Sequence, residues 1–284
     1  MEERIYNAIN QINGIFISEL KKYRKKFNRK GEIELFDDFI ETYLRAYKML
    51  GNNKLVDGLI VARSSFEILM ILIGIHINKK CREEYFRANR YERYYQRRKE
   101  DSKAEDYMSQ GYLRKIVKNR CKNVENELNE IYEFLSLYAH PTIYRNILRN
   151  IEKQKINNSK IYFNAIIAIP IIALIIFYDL SIINENVMLD MLNLKQWIEA
   201  IVNKYEVTQN NKTKLDIIEP FMYKDINKEF YNKNEKEMKR EVFKFQNEFN
   251  KSKNMMEILY KKTADKLEYN NIYNVCLEIL KEIK

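Results

Sequence analysis

The chain has 284 residues, enough to bury a core as one large helical domain or two smaller ones. Six Gly and three Pro are too few for the many turns of a sandwich or barrel, and 46% hydrophobic with 32% charged residues excludes a disordered chain or a polytopic membrane protein. The formal net charge of +10 is concentrated at the front, where residues 1–100 carry 21 Lys/Arg against 14 Asp/Glu. That imbalance favours a polyanionic partner such as RNA, DNA or an anionic membrane face, with a solvated lysine-rich surface as the bland alternative.

Ile5, Ile9, Ile12, Phe16, Leu20, Tyr23 and Phe27 recur at three- and four-residue steps, so residues 3–28 are predicted as an amphipathic helix ended by Gly31. Met1-Glu-Glu-Arg opens directly into it without a secretory signal, and Cys81, Cys121 and Cys276 lack metal-like spacing. A reducing cytoplasm with three structural thiols is expected. Lys21, Lys22, Arg24, Lys25, Lys26, Arg29 and Lys30 crowd the end of this helix. Cations there complement the macrodipole, but seven without an acid exceed what capping requires. Lys25 and Lys26 are therefore candidate phosphate contacts.

A second helix is predicted over 32–50, with Phe36, Phe39, Tyr43 and Tyr47 inward and Gly51-Asn-Asn as its stop. A third, over 55–78, has the stripe Leu55, Leu59, Ala62, Phe66, Leu69 and Ile73. Arg63 and Glu67 stand four apart on one face, either as a simple ion pair or as a partly buried cluster that needs a partner. Residues 81–99 alternate basic and aromatic side chains. On one helix Arg90, Arg93 and Arg97 share a face, and Tyr91 and Tyr94 are placed to stack bases, unless the aromatics simply form a core stripe.

Helices over 112–121 and 124–139 follow, the second stopped by Pro141. Thr142 is positioned to cap a helix through 156. The run 161–178 has 18 residues without a charge. Its length and aromatic flanks fit a single membrane span, but Asn164 and Pro170 interrupt it, and the preferred expectation is a buried central helix over 161–183. A helix over 187–205, a polar linker over 207–214 and two further helices complete the chain. The predicted fold is all-α: a multi-helix bundle of about eleven helices around the apolar central one. Its expected domains are 1–206 and 215–284.

There is no Gly-rich phosphate loop, zinc-ligand spacing, nucleophile elbow or kinase signature, and no metal or cofactor is expected. His140 lies at a helix C-terminus, where the dipole favours the protonated ring, which suits acid–base work. The alternative is a histidine bonded to the last free carbonyls of its own helix. His76, within Ile73-Gly-Ile-His-Ile77, fits a core or boundary histidine.

Arg63-Ser-Ser-Phe-Glu67, a basic aromatic helix and Leu135-Ser-Leu-Tyr-Ala-His140-Pro together resemble an uncharacterised bacterial helical family of unknown function, over roughly residues 50–205. More remotely, the layout is similar to the HEPN superfamily, many of whose members are metal-independent ribonucleases of toxin–antitoxin and phage-defence systems. HEPN enzymes place an arginine four to six residues before the catalytic histidine. Here positions 134–136 are Phe134, Leu135 and Ser136, so the resemblance implies that Arg63 or Arg145 supplies the guanidinium. The expectation is a cytoplasmic nucleic-acid-acting protein, in its sharpest form a metal-independent endoribonuclease. His140 would serve the ribose 2′-hydroxyl, Arg63 or Arg145 the phosphate, and Glu67 would orient them. Arg90, Arg93, Arg97, Tyr91 and Tyr94 would hold the strand. The expected partner is RNA or another polyanion, with a second copy or a protein partner as further alternatives. Competing expectations are a non-enzymatic helical binding module and a protein anchored by one membrane span.

Overall fold

A computed structural model of the chain describes residues 2–87, 90–101, 105–124, 127–139 and 159–209, with Arg145, Arg149, Glu152, Asn274, Val275, Glu278, Ile279 and Glu282. The described residues form nine α-helices and no strand. These are α1 (Glu2–Lys22), α2 (Glu32–Gly51), α3 (Leu55–Ile77), α4 (Lys79–Tyr85), α5 (Arg90–Glu100), α6 (Gln110–Arg120), α7 (Glu127–Ala139), α8 (Ser159–Asp179) and α9 (Glu185–Gln209). Nine is fewer than the eleven expected. The helix predicted after Thr142 and the two beyond the linker fall wholly or mostly outside the described residues. The single helix predicted over 81–99 is two: Asn78 caps α4 by accepting from the Lys80 and Cys81 N–H groups at 2.8 and 3.2 Å, and α4 ends at Tyr85.

Helix ends differ from the periodicity for local reasons. The first helix stops at Lys22, and a 3-10 turn over Arg24–Lys26 carries Phe27 into the core. Gly31 then takes φ +79°, and a Cβ there would fall 2.7 Å from Phe86 Cζ. Gly51 is still helical. The left-handed residue that ends α2 is Asn53 (φ 57°), with Lys54 N–H bonded to Met49 O at 2.9 Å and Asn53 N–H to Leu50 O at 3.0 Å. Ser181 (φ 58°) plays the same part after α8, with Ile182 N–H on Phe177 O at 2.8 Å. The central apolar helix therefore spans 159–179, not 161–183.

The backbone divides into two compact units, residues 13–192 and residues 1–12 with 193–284. In the first, α3 is the hub and packs against α2, α4, α6, α7 and α8. Its whole predicted stripe is buried, as are Val56, Ser65, Met70, Leu72 and Ile75. The α3 N-terminus has no local side-chain cap; Glu152 supplies one from 96 residues away, accepting the Val56 N–H at 2.7 Å. Between Ala165 and Phe177 in α8, only Ala168 and Ile175 are not buried. Phe27 and Phe36 meet Phe177 at ring-centroid distances of 5.1 and 6.4 Å. Each such ring contributes about 1.5–3 kcal/mol by burial.

Pro170 lies inside α8 and has no N–H for the carbonyl four residues back, that of Ile166. The Tyr43 hydroxyl, from α2, donates to that oxygen at 2.8 Å and also pairs with the Asn13 side-chain amide; all three sites are buried. One described helix is long and apolar enough to cross a membrane by composition. It is α3 rather than α8, and 61% of its most apolar window is buried in the protein.

In the other unit Ile5, Ala8, Ile9 and Ile12 of α1, Leu194, Ile198, Ile201 and Val202 of α9, and Ile279 are buried. Arg4 pairs with Glu278 at 3.1 Å and with Glu282. Residues 207–209 of the expected linker belong to α9, and 210–214 lie outside the described residues.

Candidate functional site

The Arg63–Glu67 pair forms as its spacing predicts: Arg63 Nε donates to Glu67 Oε1 at 2.9 Å, and the two side chains are 18% and 31% exposed. A third partner comes from α7, where the Tyr132 hydroxyl accepts from Arg63 Nη2 at 3.2 Å. The Tyr132 ring lies 6.3 Å from Phe66, so the α3 stripe fixes its position. Its π-face takes a second cation from α6. Arg114 Cζ sits 3.6 Å from the ring centroid, closer than Arg63 Cζ at 5.2 Å. Arg114 Nε donates to Gln110 O, and the Gln110 amide donates to Glu67 O, both at 3.3 Å. Burial, and secondarily the charge of Arg63, lowers the Arg114 guanidinium below its ordinary pKa. One turn beyond Tyr132, Ser136 Oγ is buried with no partner among the described residues.

Arg114 also lines a groove of about 290 Å³ with Gly111, Lys115, Lys118, Asn119 and Asn129. The lining holds three cations and no carboxylate, although Lys115 reaches an exposed Glu105 at 3.0 Å. A second groove of about 250 Å³ shares Asn119 and is lined by Ile77, Asn78, Ile116 and Arg120. The α3 pair is thus joined through Tyr132 and Arg114 to a basic, hydrogen-bonding groove. Such a surface suits phosphate oxygens.

His140 lies outside the described residues. Arg145 is half-buried. The side chains of Arg90 and Tyr91 also lie outside the described residues. Arg93 is exposed, and Tyr94 is half-buried with its ring 5.7 Å from Tyr95. Arg97 turns inward: its Nη1 meets the buried Glu84 at 3.4 Å and its guanidinium lies 5.0 Å from the Tyr107 centroid. Lys25 and Lys26 are exposed. Of the other cations near them, Lys22 pairs with Glu19, Arg24 with Asp37, and Lys30 lies over Phe86.

Tyr132 and Arg114 were not singled out by sequence, because their partners lie on other helices and no local spacing marks them. His76 is a boundary residue, but its ring bonds a fully buried carboxylate, Glu32, at 3.2 Å. Among the described residues no three His, Cys, Asp or Glu side chains could hold a metal ion.

Searches of family models, curated proteins and solved structures find no match to this chain. The likeness to the bacterial family and to the HEPN superfamily therefore rests on the quoted motifs alone.

Proposed function

We propose that this chain is a helical nucleic-acid-binding protein that holds RNA along the α6–α7 groove. The observation that carries the proposal is the double role of Arg114, stacked on Tyr132 and exposed to a groove lined also by Lys115 and Lys118. A cationic track beside an aromatic-stacked guanidinium is what a single strand requires for backbone contact without base readout. The test is fluorescence anisotropy with a labelled single-stranded RNA oligonucleotide. Arg114→Ala with Lys118→Ala should weaken binding and reduce the slope of log affinity against log salt by about 1.4, at about 0.7 per phosphate contact. Wild-type affinity and an unchanged slope in the double variant would reject the groove as the binding site.

A second reading, metal-independent cleavage of the bound RNA, is favoured by the two guanidiniums, Arg63 and Arg114, on one tyrosine ring. Paired cations stabilise the charge that develops on a phosphorus in transfer. In this reading Glu67 holds Arg63, and His140 is the acid or base. Cleavage in EDTA that is lost in His140→Ala supports it; equal cleavage by both proteins counts against it.

A further inference from the structure

The C-terminal end of α3 carries an ionisable cluster that RNA binding in the groove does not use. Glu32, the first residue of α2, is 0% exposed. Its Oε1 lies 3.2 Å from His76 Nδ1, and its Oε2 accepts the Arg29 N–H at 3.3 Å. A carboxylate removed from water needs donors of this kind, so the Nδ1 proton is directed at Glu32. The neutral ring then carries its lone pair on Nε2. That nitrogen has no partner among the described residues and is not among the buried unbonded atoms, on a side chain 22% exposed. Phe27 packs edge-on against the ring at 5.2 Å and fixes its plane.

Two guanidiniums converge on the backbone of the same residue. Arg29 Nη1 donates to His76 O at 2.5 Å and Arg82 Nη2 to the same oxygen at 3.1 Å, while Arg82 Nε holds Ile75 O at 3.0 Å. Each guanidinium has five N–H groups, so these contacts leave donors for an anion. The exposed Lys25 and Lys26 lie in the turn that leads to Arg29. A clip between α2 and α3 accounts for Glu32 and Arg29. It does not call for an imidazole whose outer nitrogen is left without a partner among the described residues, on a residue whose carbonyl gathers two guanidiniums.

We propose that Glu32 and His76 form an acid–base dyad for a phosphodiester, with His76 the catalytic base, Glu32 its positioning residue, and Arg29 and Arg82 the phosphate-binding groups. The dyad rests on RNA being the ligand, as proposed above. His76 Nε2 takes the proton of a ribose 2′-hydroxyl and the 2′-oxygen bonds to phosphorus. The bond from phosphorus to the 5′-oxygen breaks, and water protonates the leaving oxygen. The products are a 2′,3′-cyclic phosphate and a 5′-hydroxyl, with no redox change and no co-reactant.

The test uses the full chain in EDTA with a fluorophore-quencher RNA oligonucleotide and its all-2′-deoxy counterpart. Wild type is expected to bind both, to cleave only the RNA and to leave 2′,3′-cyclic ends. His76→Asn keeps a donor towards Glu32 but removes Nε2, and His76→Gln removes the ring differently. Each should slow cleavage by about 100-fold or more with RNA affinity and helical circular dichroism unchanged, and free imidazole should restore part of the rate. Glu32→Gln should move the pH profile of kcat/KM. RNA bound but left intact by wild type, other product ends, or wild-type cleavage by both His76 variants would overturn the dyad and leave RNA binding standing. No binding of RNA at all would overturn both.

Discussion

At one cluster, midway along α3, Arg63 and Glu67 find each other four residues apart and remain partly in water, 18% and 31% exposed. At the other, Glu32 is fully buried and its partner His76 is 44 residues away in sequence. The two clusters stand roughly 15 Å apart along the helix axis, at 1.5 Å per residue. The first is held by a ring face and a shared cation, the second by His76 and the Arg29 N–H on a dehydrated carboxylate, with the Arg29 guanidinium 3.9 Å away. A partly solvated pair tolerates the loss of a member because water replaces it; a sealed one does not.

The largest expected effect follows from that contrast. His76→Ala should cost about 3–5 kcal/mol in urea unfolding, because it strips Glu32 of its ring partner. Arg63→Ala should cost about 1 kcal/mol, since Glu67 keeps access to solvent. Equal losses would mean that the two clusters are not different in kind. Next, Tyr132→Leu should cost about 1–2 kcal/mol more than Tyr132→Phe, because leucine loses the face that carries Arg114 and phenylalanine loses only the hydroxyl.

A smaller effect belongs to the exposed Arg24–Asp37 pair. The guanidinium holds the Asp37 carboxyl below its usual range. Its contribution is present above the ordinary carboxylate pKa and is lost as pH falls through the lowered folded value. With Asp37 half-exposed, Asp37→Asn should cost under about 1 kcal/mol near neutrality, and its Tm should converge with wild type in acid. The smallest effect is a non-reaction. Burial pushes the Cys81 and Cys121 thiols up to about 12, so iodoacetamide at mildly alkaline pH should label neither until the chain unfolds. Labelling of Cys81 alone would report local opening beside the His76 end.

Much of the first cluster was legible in the sequence. Leu55, Leu59, Ala62, Phe66, Leu69 and Ile73 mark the buried side of α3, and a four-residue step places Arg63 beside Glu67. Tyr132 and Arg114 were hidden because they reach the pair from α7 and α6, and helical periodicity does not say which helices touch. Glu32 carries no mark in the sequence, since an acid in a first turn is explained by the dipole alone. Arg97 shows the converse: an arginine in a basic run invites a strand-holding role, yet its nearest anion is Glu84 of the preceding helix. The end of α2 falls one residue beyond the expected one and that of α8 four residues short of it, because Asn53 and Ser181, rather than glycines, take the left-handed turn.

The joint between Tyr43 and Pro170 constrains how α2 and α8 come together. Sliding α8 by one turn, about 5.4 Å, would carry the Ile166 oxygen away from the Tyr43 hydroxyl and leave that oxygen dry and unmatched. The two helices are therefore keyed like a tongue in a slot. Related chains that lose the proline should keep the tyrosine less strictly, because a restored helical N–H satisfies the Ile166 oxygen and leaves the hydroxyl its Asn13 pairing. Those two positions should change together.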